Sequence, residues 1–238
     1  MALSSLHNIS GLVLLGDPGS GKSCALGHAS AETKAQLLTA RQFLYLPTMK
    51  PTEALYIDAL DEHRRGGNAG VVDDIVTKLF ASVPSQVWVS CRSQDWWGET
   101  DLQPFRDYFA RIGDYVVVAL EPTNRMEQCN ILQVRGSSQE QALQFLDEAQ
   151  HRGLDPLLQN PRRMILLNQV VRRGSWPVTK FELFDRATRI QLTEENPIHG
   201  RSPIGSISAD DLALTAGGIC AARLLADVEG IALSPVAS

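Results

Sequence analysis

Leu12-Val13-Leu14-Leu15-Gly16-Asp17-Pro18-Gly19-Ser20-Gly21-Lys22-Ser23 is the stretch whose reading decides how this chain folds. Its four leading apolar residues read as a strand buried on both faces, and the residues from Gly16 onward fit G-x-x-x-x-G-K-S. Gly16, Gly19 and Gly21 permit positive φ and let the main chain come close to a bound group, so that successive N–H groups turn inward as an anion nest. A helix opening near Lys22 aims its positive end at the same place. Lys22 supplies a mobile point charge for β and γ phosphates, and the Ser23 hydroxyl suits a hydrated magnesium ion. A nucleoside triphosphate with Mg2+ is the ligand these parts fit together, with Gly16, Asp17, Pro18, Gly19, Ser20, Gly21, Lys22, Ser23 and Cys24 as the nucleotide-binding candidates.

Outward from this loop, short apolar runs alternate with helical spacing. From Lys22 a helix runs through Ala25, Leu26 and Ala29, and Gln42-Phe43-Leu44-Tyr45-Leu46 reads as a second strand ahead of Pro47. Ala54-Leu55-Tyr56-Ile57-Asp58 is a third strand that ends in a carboxylate, and the polar segment from His63 to Gly70 is a loop. Val71, Val72, Ile75, Val76, Leu79, Phe80 and Val83 recur on one helical face. Gln86 to Cys91 is a fourth strand delivering Arg92, a helix is expected near Leu102 to Ala110, and Tyr115 to Leu120 is a fifth strand. The alternation predicts an α/β fold: a parallel five-stranded sheet of P-loop NTPase type, flanked by helices with right-handed crossovers. Beyond Pro122 only helical patterns remain, which predicts an all-α lid domain. Its helix starts are read at Ser137-x-x-Glu140, Thr179-x-x-Glu182 and Ser208-x-x-Asp211, and stops at Gly153 and Gly174.

Apolar residues make up 44% of the 238 and charged ones 21%, so a packed core is expected and wholesale disorder is not. A net charge of −5 leaves no electrostatic footprint for nucleic acid, and the pairs Arg162-Arg163 and Arg172-Arg173 read as solvated helix faces. Cys24, Cys91, Cys129 and Cys220 lie far apart without C-x-x-C spacing, which argues against a zinc site and a disulfide framework and suits a reducing, cytoplasmic setting. No apolar run approaches the ~20 residues that cross a bilayer.

The chemistry-bearing residues fall at the carboxyl ends of the predicted strands, where open parallel sheets bind ligands. Asp58 is placed to hold the magnesium shell, with Ser23 as the other metal candidate. Glu62 could orient or deprotonate the water that attacks the γ phosphate, with Asp61 as its close competitor. Arg92 could sense the γ phosphate through a charge-assisted hydrogen bond, or simply pair with Asp95 or Glu99. Trp96-Trp97 reads as loop packing for the next helix rather than a partner patch. His63 and His199 have no ligand-like spacing.

Taken together, GDPGSGKS at Gly16 to Ser23, LYIDALDE at Leu55 to Glu62 and WVSCRSQDW at Trp88 to Trp96 resemble the nucleotide-binding domain of bacterial NACHT-type STAND NTPases. Such proteins commonly carry an acidic D-G-x-D-E segment, and Ala59 stands here in place of its glycine. The resemblance implies that Arg92, in the T/S-x-R context of Ser90-Cys91-Arg92, is a sensor arginine. It further implies that the N-P motif at Asn160-Pro161 lays Pro161 against the adenine of ATP or ADP. The implied organisation is a nucleotide domain over 1–121, a helical domain over 122–200, and the start of a winged helix over 201–238. Family members carry an effector region before the ATPase and a sensor array after it. This chain has room for neither, so an excerpt of a longer protein or a fragmentary reading frame is expected. The function so implied is a slowly hydrolysing ATP switch in defence or signalling that forms a homo-oligomer on activation. The competing readings are an AAA+-like energy-transducing ATPase and a scaffold that holds ADP without turnover.

Overall fold

The apolar run that precedes the glycines is β1 (Gly11–Gly16), and its side chains from Leu12 to Leu14 are buried from both sides. The computed structural model describes residues 3–46, 53–64, 70–192 and 208–226. Within them β1 runs into α1 (Lys22–Thr33), β2 (Gln36–Thr39), α2 (Ala40–Tyr45), β3 (Ala54–Asp58), α3 (Leu60–Arg64) and α4 (Val71–Ser82). β4 (Gln86–Arg92), α5 (Glu99–Ile112) and β5 (Tyr115–Ala119) follow, then α6 (Arg125–Val134), α7 (Gln139–His151), α8 (Asp155–Leu158), α9 (Pro161–Arg172), α10 (Lys180–Leu192) and α11 (Ala209–Ala226). The strands form one five-stranded sheet, ordered β2-β3-β4-β1-β5 and parallel throughout. It is a P-loop NTPase-like α/β fold.

Strand alternation divides the core into two layers. Leu12, Leu14, Tyr56 and Trp88 pack with Leu26 and Ala29 of α1, and the Tyr56 and Trp88 rings stack at 4.7 Å. On the other face Val13, Leu55, Ile57, Val87 and Val89 meet Phe43, Ile75, Leu79, Phe105 and Phe109 from α2, α4 and α5. Each fully buried aliphatic contributes about 1.5–3 kcal/mol relative to exposure. β5, at the sheet edge, alternates between half-buried and exposed residues.

The second strand differs from expectation. Gln42–Leu46 does not extend the sheet: Gln36–Thr39 does, and Ala40–Tyr45 is helical. A capping box sets the boundary, since Thr39 Oγ1 accepts from the Gln42 N–H at 3.1 Å while the Thr39 N–H donates to Gln42 Oε1 at 2.9 Å. That turns Phe43 into the core. The box expected at Ser137 forms one residue later, with Ser138 accepting from Gln141 N–H. Gly136, at φ +88°, and Ser137, whose N–H donates to Leu132 O, are taken up in closing α6. At α10, Thr179 Oγ1 accepts from Glu182 N–H as expected, but the Glu182 carboxylate reaches back to Val178. Ser208 caps α11 through Asp211 N–H. Gly153 takes φ +67° just past α7.

By internal contacts the chain divides into two compact units, residues 1–163 and 164–238. In the second, Arg189 joins α10 to α11 by pairing with Asp185 and Asp210. Among the described residues no helix is long and apolar enough to cross a membrane. Most of the loop read at His63–Gly70, with Pro47, His199 and the chain end from Leu233, lies outside the described residues.

Candidate functional site

The loop between β1 and α1 has the backbone its glycines allow. Gly19 sits at φ +80° and Gly21 at φ +103°, both left-handed conformations that an L side chain strains to adopt. At Gly16 space is tight: a Cβ there would lie 2.7 Å from Ser20 Oγ, which would have to turn away. Gly21 is the residue before α1 and places no side-chain cap on it, so the first amides of the helix, from Lys22, Ser23 and Cys24, have none. Ser20 Oγ is buried without a hydrogen-bond partner among the described residues. The Lys22 ammonium folds over the loop and donates to Gly16 O at 2.7 Å and Asp17 O at 3.0 Å. Uncapped amides, an orphaned hydroxyl and a folded-back ammonium are the features a phosphate group satisfies.

The ends of β3 and β4 face the same rim. Register places Gly16 opposite Arg92. Burial lowers the pKa of Lys22. Asp61 opposes that shift most strongly, and Arg92, Cys91 and Asp58 also act on the ammonium. The strand ends therefore lie close enough to the loop to share one electrostatic site. The Asp58 carboxylate accepts from the Ser90 hydroxyl, which in turn accepts from the Ala59 N–H at 3.0 Å. Ala59 lies at φ +59°, so the position where the resembled family has glycine does take a left-handed turn here.

The two adjacent acids are not equivalent. Asp61 is 2% exposed; its Oδ2 lies 2.7 Å from Arg92 Nε and its Oδ1 accepts from the Arg92 N–H at 3.2 Å. The side-chain contact is an ion pair rather than a well-directed hydrogen bond, which leaves Oδ2 without a hydrogen-bond partner. Glu62, by contrast, is exposed. Glu99, one of the two partners weighed for Arg92, pairs with Arg106 instead, at 2.8 Å. Spacing could not reveal the Asp61 pairing, because it depends on α3 meeting the end of β4.

The loop is also touched from far along the chain. Asn160 Nδ2 donates to Pro18 O at 3.0 Å and the Arg162 N–H donates to Gly19 O at 3.2 Å. Asn160 Oδ1 accepts from the Arg163 N–H at 3.3 Å, so it caps α9, with Pro161 at the first helical position. Pro161 is thus held in a turn that rests on the loop. Arg162 and Arg163 are exposed as expected, yet Arg162 also packs its Cβ on Gly19, a contact with no signal in the sequence beyond the N-P dipeptide.

Trp96 packs on the core, 6.4 Å from the Phe105 ring, while Trp97 is half exposed and its N–H donates to the buried Asp101 at 2.7 Å. None of the four cysteines is in a disulfide. Among the described residues no cluster of three or more His, Cys, Asp or Glu side chains makes a metal cage. A magnesium ion held by one hydroxyl, water and phosphate oxygens needs none.

No protein-family model matches the chain, and no curated protein sequence matches it. Among solved structures it is similar to the Holliday junction branch migration motor RuvB of Thermotoga maritima. That likeness has 16% identity and a TM-score of 0.46, and it covers 97% of this chain and 92% of that one.

Proposed function

We propose that this chain is an ATP-binding, slowly hydrolysing P-loop switch of the STAND kind, acting in signalling or defence. One observation carries the reading: Lys22 lies folded over an uncapped glycine loop, on the rim of the sheet where β3 ends in Asp58 and β4 ends in Arg92. Gly16 to Cys24 cradle the phosphates, and Ser23 and Asp58 would hold a Mg2+ ion. Bound there, that ion would neutralise developing phosphate charge. Glu62 takes the proton of the attacking water as the new oxygen–phosphorus bond forms and ADP departs with the electrons of the broken one. Asp61 holds Arg92 rather than serving as base, because its carboxylate is already committed to that guanidinium and amide. Arg92 then senses the γ phosphate by leaving or sharing that pair.

Pro161, in the turn resting on the loop, contacts the adenine. Exchange of ADP for ATP moves the equilibrium toward an oligomerising form only by the difference in affinity between the two forms. A cytoplasmic setting fits cysteines that form no disulfide. Calorimetric titration with ATP and Mg2+ tests the site. Lys22→Ala should abolish the binding seen in the unaltered chain, and unchanged affinity would refute the assignment. Mass determination of nucleotide released from the purified protein identifies the base and the resting state; release of guanine nucleotide would exclude the adenine reading.

A further inference from the structure

Ser90 is an anomaly in its strand. β4 is buried from Val87 to Cys91, and Ser90 itself is fully buried opposite Leu14 of β1. An apolar residue would fill such a position without the cost of burying a hydroxyl. The hydroxyl is instead used twice: its hydrogen goes to the Asp58 carboxylate and its oxygen accepts from the Ala59 N–H at 3.0 Å. Ala59 is one of the described non-glycine residues with positive φ, and Glu62 N–H donates to its carbonyl at 3.2 Å. One buried side chain thus pins both the carboxylate and the strained turn that leads into α3.

We propose that Ser90 is a positioning residue that aims the Asp58 carboxylate into the phosphate site and thereby sets the affinity of that site for a divalent cation. The inference rests on the nucleotide reading above. Partners one shell removed from a metal typically change its affinity by about 10- to 100-fold when lost. An alternative role, merely holding the left-handed turn, is separable, because glycine adopts the Ala59 conformation without strain.

The probe is Mn2+, followed by loss of the free-ion electron paramagnetic resonance signal in the presence of ADP. Nucleotide affinity is measured in parallel in EDTA. Ser90→Ala should weaken nucleotide-dependent Mn2+ binding by about 10-fold or more while changing affinity in EDTA by less than about 2-fold. The same loss should appear when Ser90→Ala is added to Ala59→Gly, a background that keeps the turn if the single variant fails to fold. Ser90→Thr, which keeps the hydroxyl, should restore most of it. Equal Mn2+ affinity of Ala59→Gly with and without Ser90→Ala overturns the positioning role alone. Failure of the unaltered chain to bind Mn2+ with nucleotide overturns the site reading, and the inference with it.

Discussion

Replacing Asp61 by Asn separates the two neighbouring acids by what each does to stability. The Asp61 side chain is 3% exposed and its partner Arg92 is 25% exposed. Breaking a fully buried ion pair costs about 3–5 kcal/mol, chiefly because the abandoned charge stays buried. Here the abandoned guanidinium retains some access to water, and Asn can still accept from the Arg92 N–H, so the expected loss is nearer ~2–3 kcal/mol. With a slope of about 1–3 kcal/mol per molar urea, the midpoint should fall by roughly 1 M or somewhat more. Intrinsic tryptophan fluorescence is a suitable readout, since Trp88, Trp96 and Trp97 all lie in the first unit. Glu62→Gln, at an exposed position, should move the midpoint by no more than about 0.5 kcal/mol equivalent, yet retain ATP and lose phosphate release. The reasoning is refuted if Asp61→Asn leaves the midpoint in place and stops hydrolysis on its own, for then Asp61 is the base.

Gly19→Ala combines two penalties. A left-handed alanine costs about 1–2 kcal/mol, and its Cβ would come within 2.6 Å of Arg162 Cβ. The first turn of α9 should shift, which hydrogen exchange would report as lost protection of the Arg162 amide. Gly21→Ala meets no atom within 4 Å and should strain the loop while sparing that amide; equal exchange in the two variants would count against the contact. Burial pushes the Tyr108 phenol up to about 12, and its hydroxyl donates to Pro84 O at 2.6 Å. The fold therefore favours the protonated phenol. Its stabilising contribution is complete below pH ~10 and falls by about 3 kcal/mol as pH rises through about 12. Urea midpoints at pH 9 and 11.5 should show this slope, and Tyr108→Phe should flatten it, with the raised Tyr56 accounting for part of what remains.

Strands buried on both sides announce themselves as apolar runs, which is why β3 was legible residue by residue and β1 and β4 to within one residue at their ends. β2 was not, because Gln36–Thr39 is a half-exposed edge strand whose composition resembles a loop, whereas the apolar residues of α2 imitate a strand. The Thr39-x-x-Gln42 spacing carried the missing signal. The one-residue slip at Ser138 arose because two adjacent serines satisfy the same local rule, and only the way α6 ends selects between them. Within the candidate site, the left-handed turns at Gly19 and Gly21 and the carboxylate of Asp58 at the end of β3 were legible from local chemistry. The division of labour between Asp61 and Glu62 was not: burial of one and exposure of the other follow from how α3 leaves the sheet. The sequence marks Ser90 only as a neighbour of Arg92, because its hold on Asp58 spans 32 residues.

The clamp of Asn160 and Arg162 on the loop bears on how the chain is made. The Asn160 link to Pro18 spans 142 residues. Domains generally fold as units, N-terminal ones first, while synthesis proceeds, and this loop, encoded near the start, cannot acquire the donors to its Pro18 and Gly19 carbonyls until residue 162 has cleared the ribosome. A nascent chain can assemble its sheet well before its glycine loop is finished.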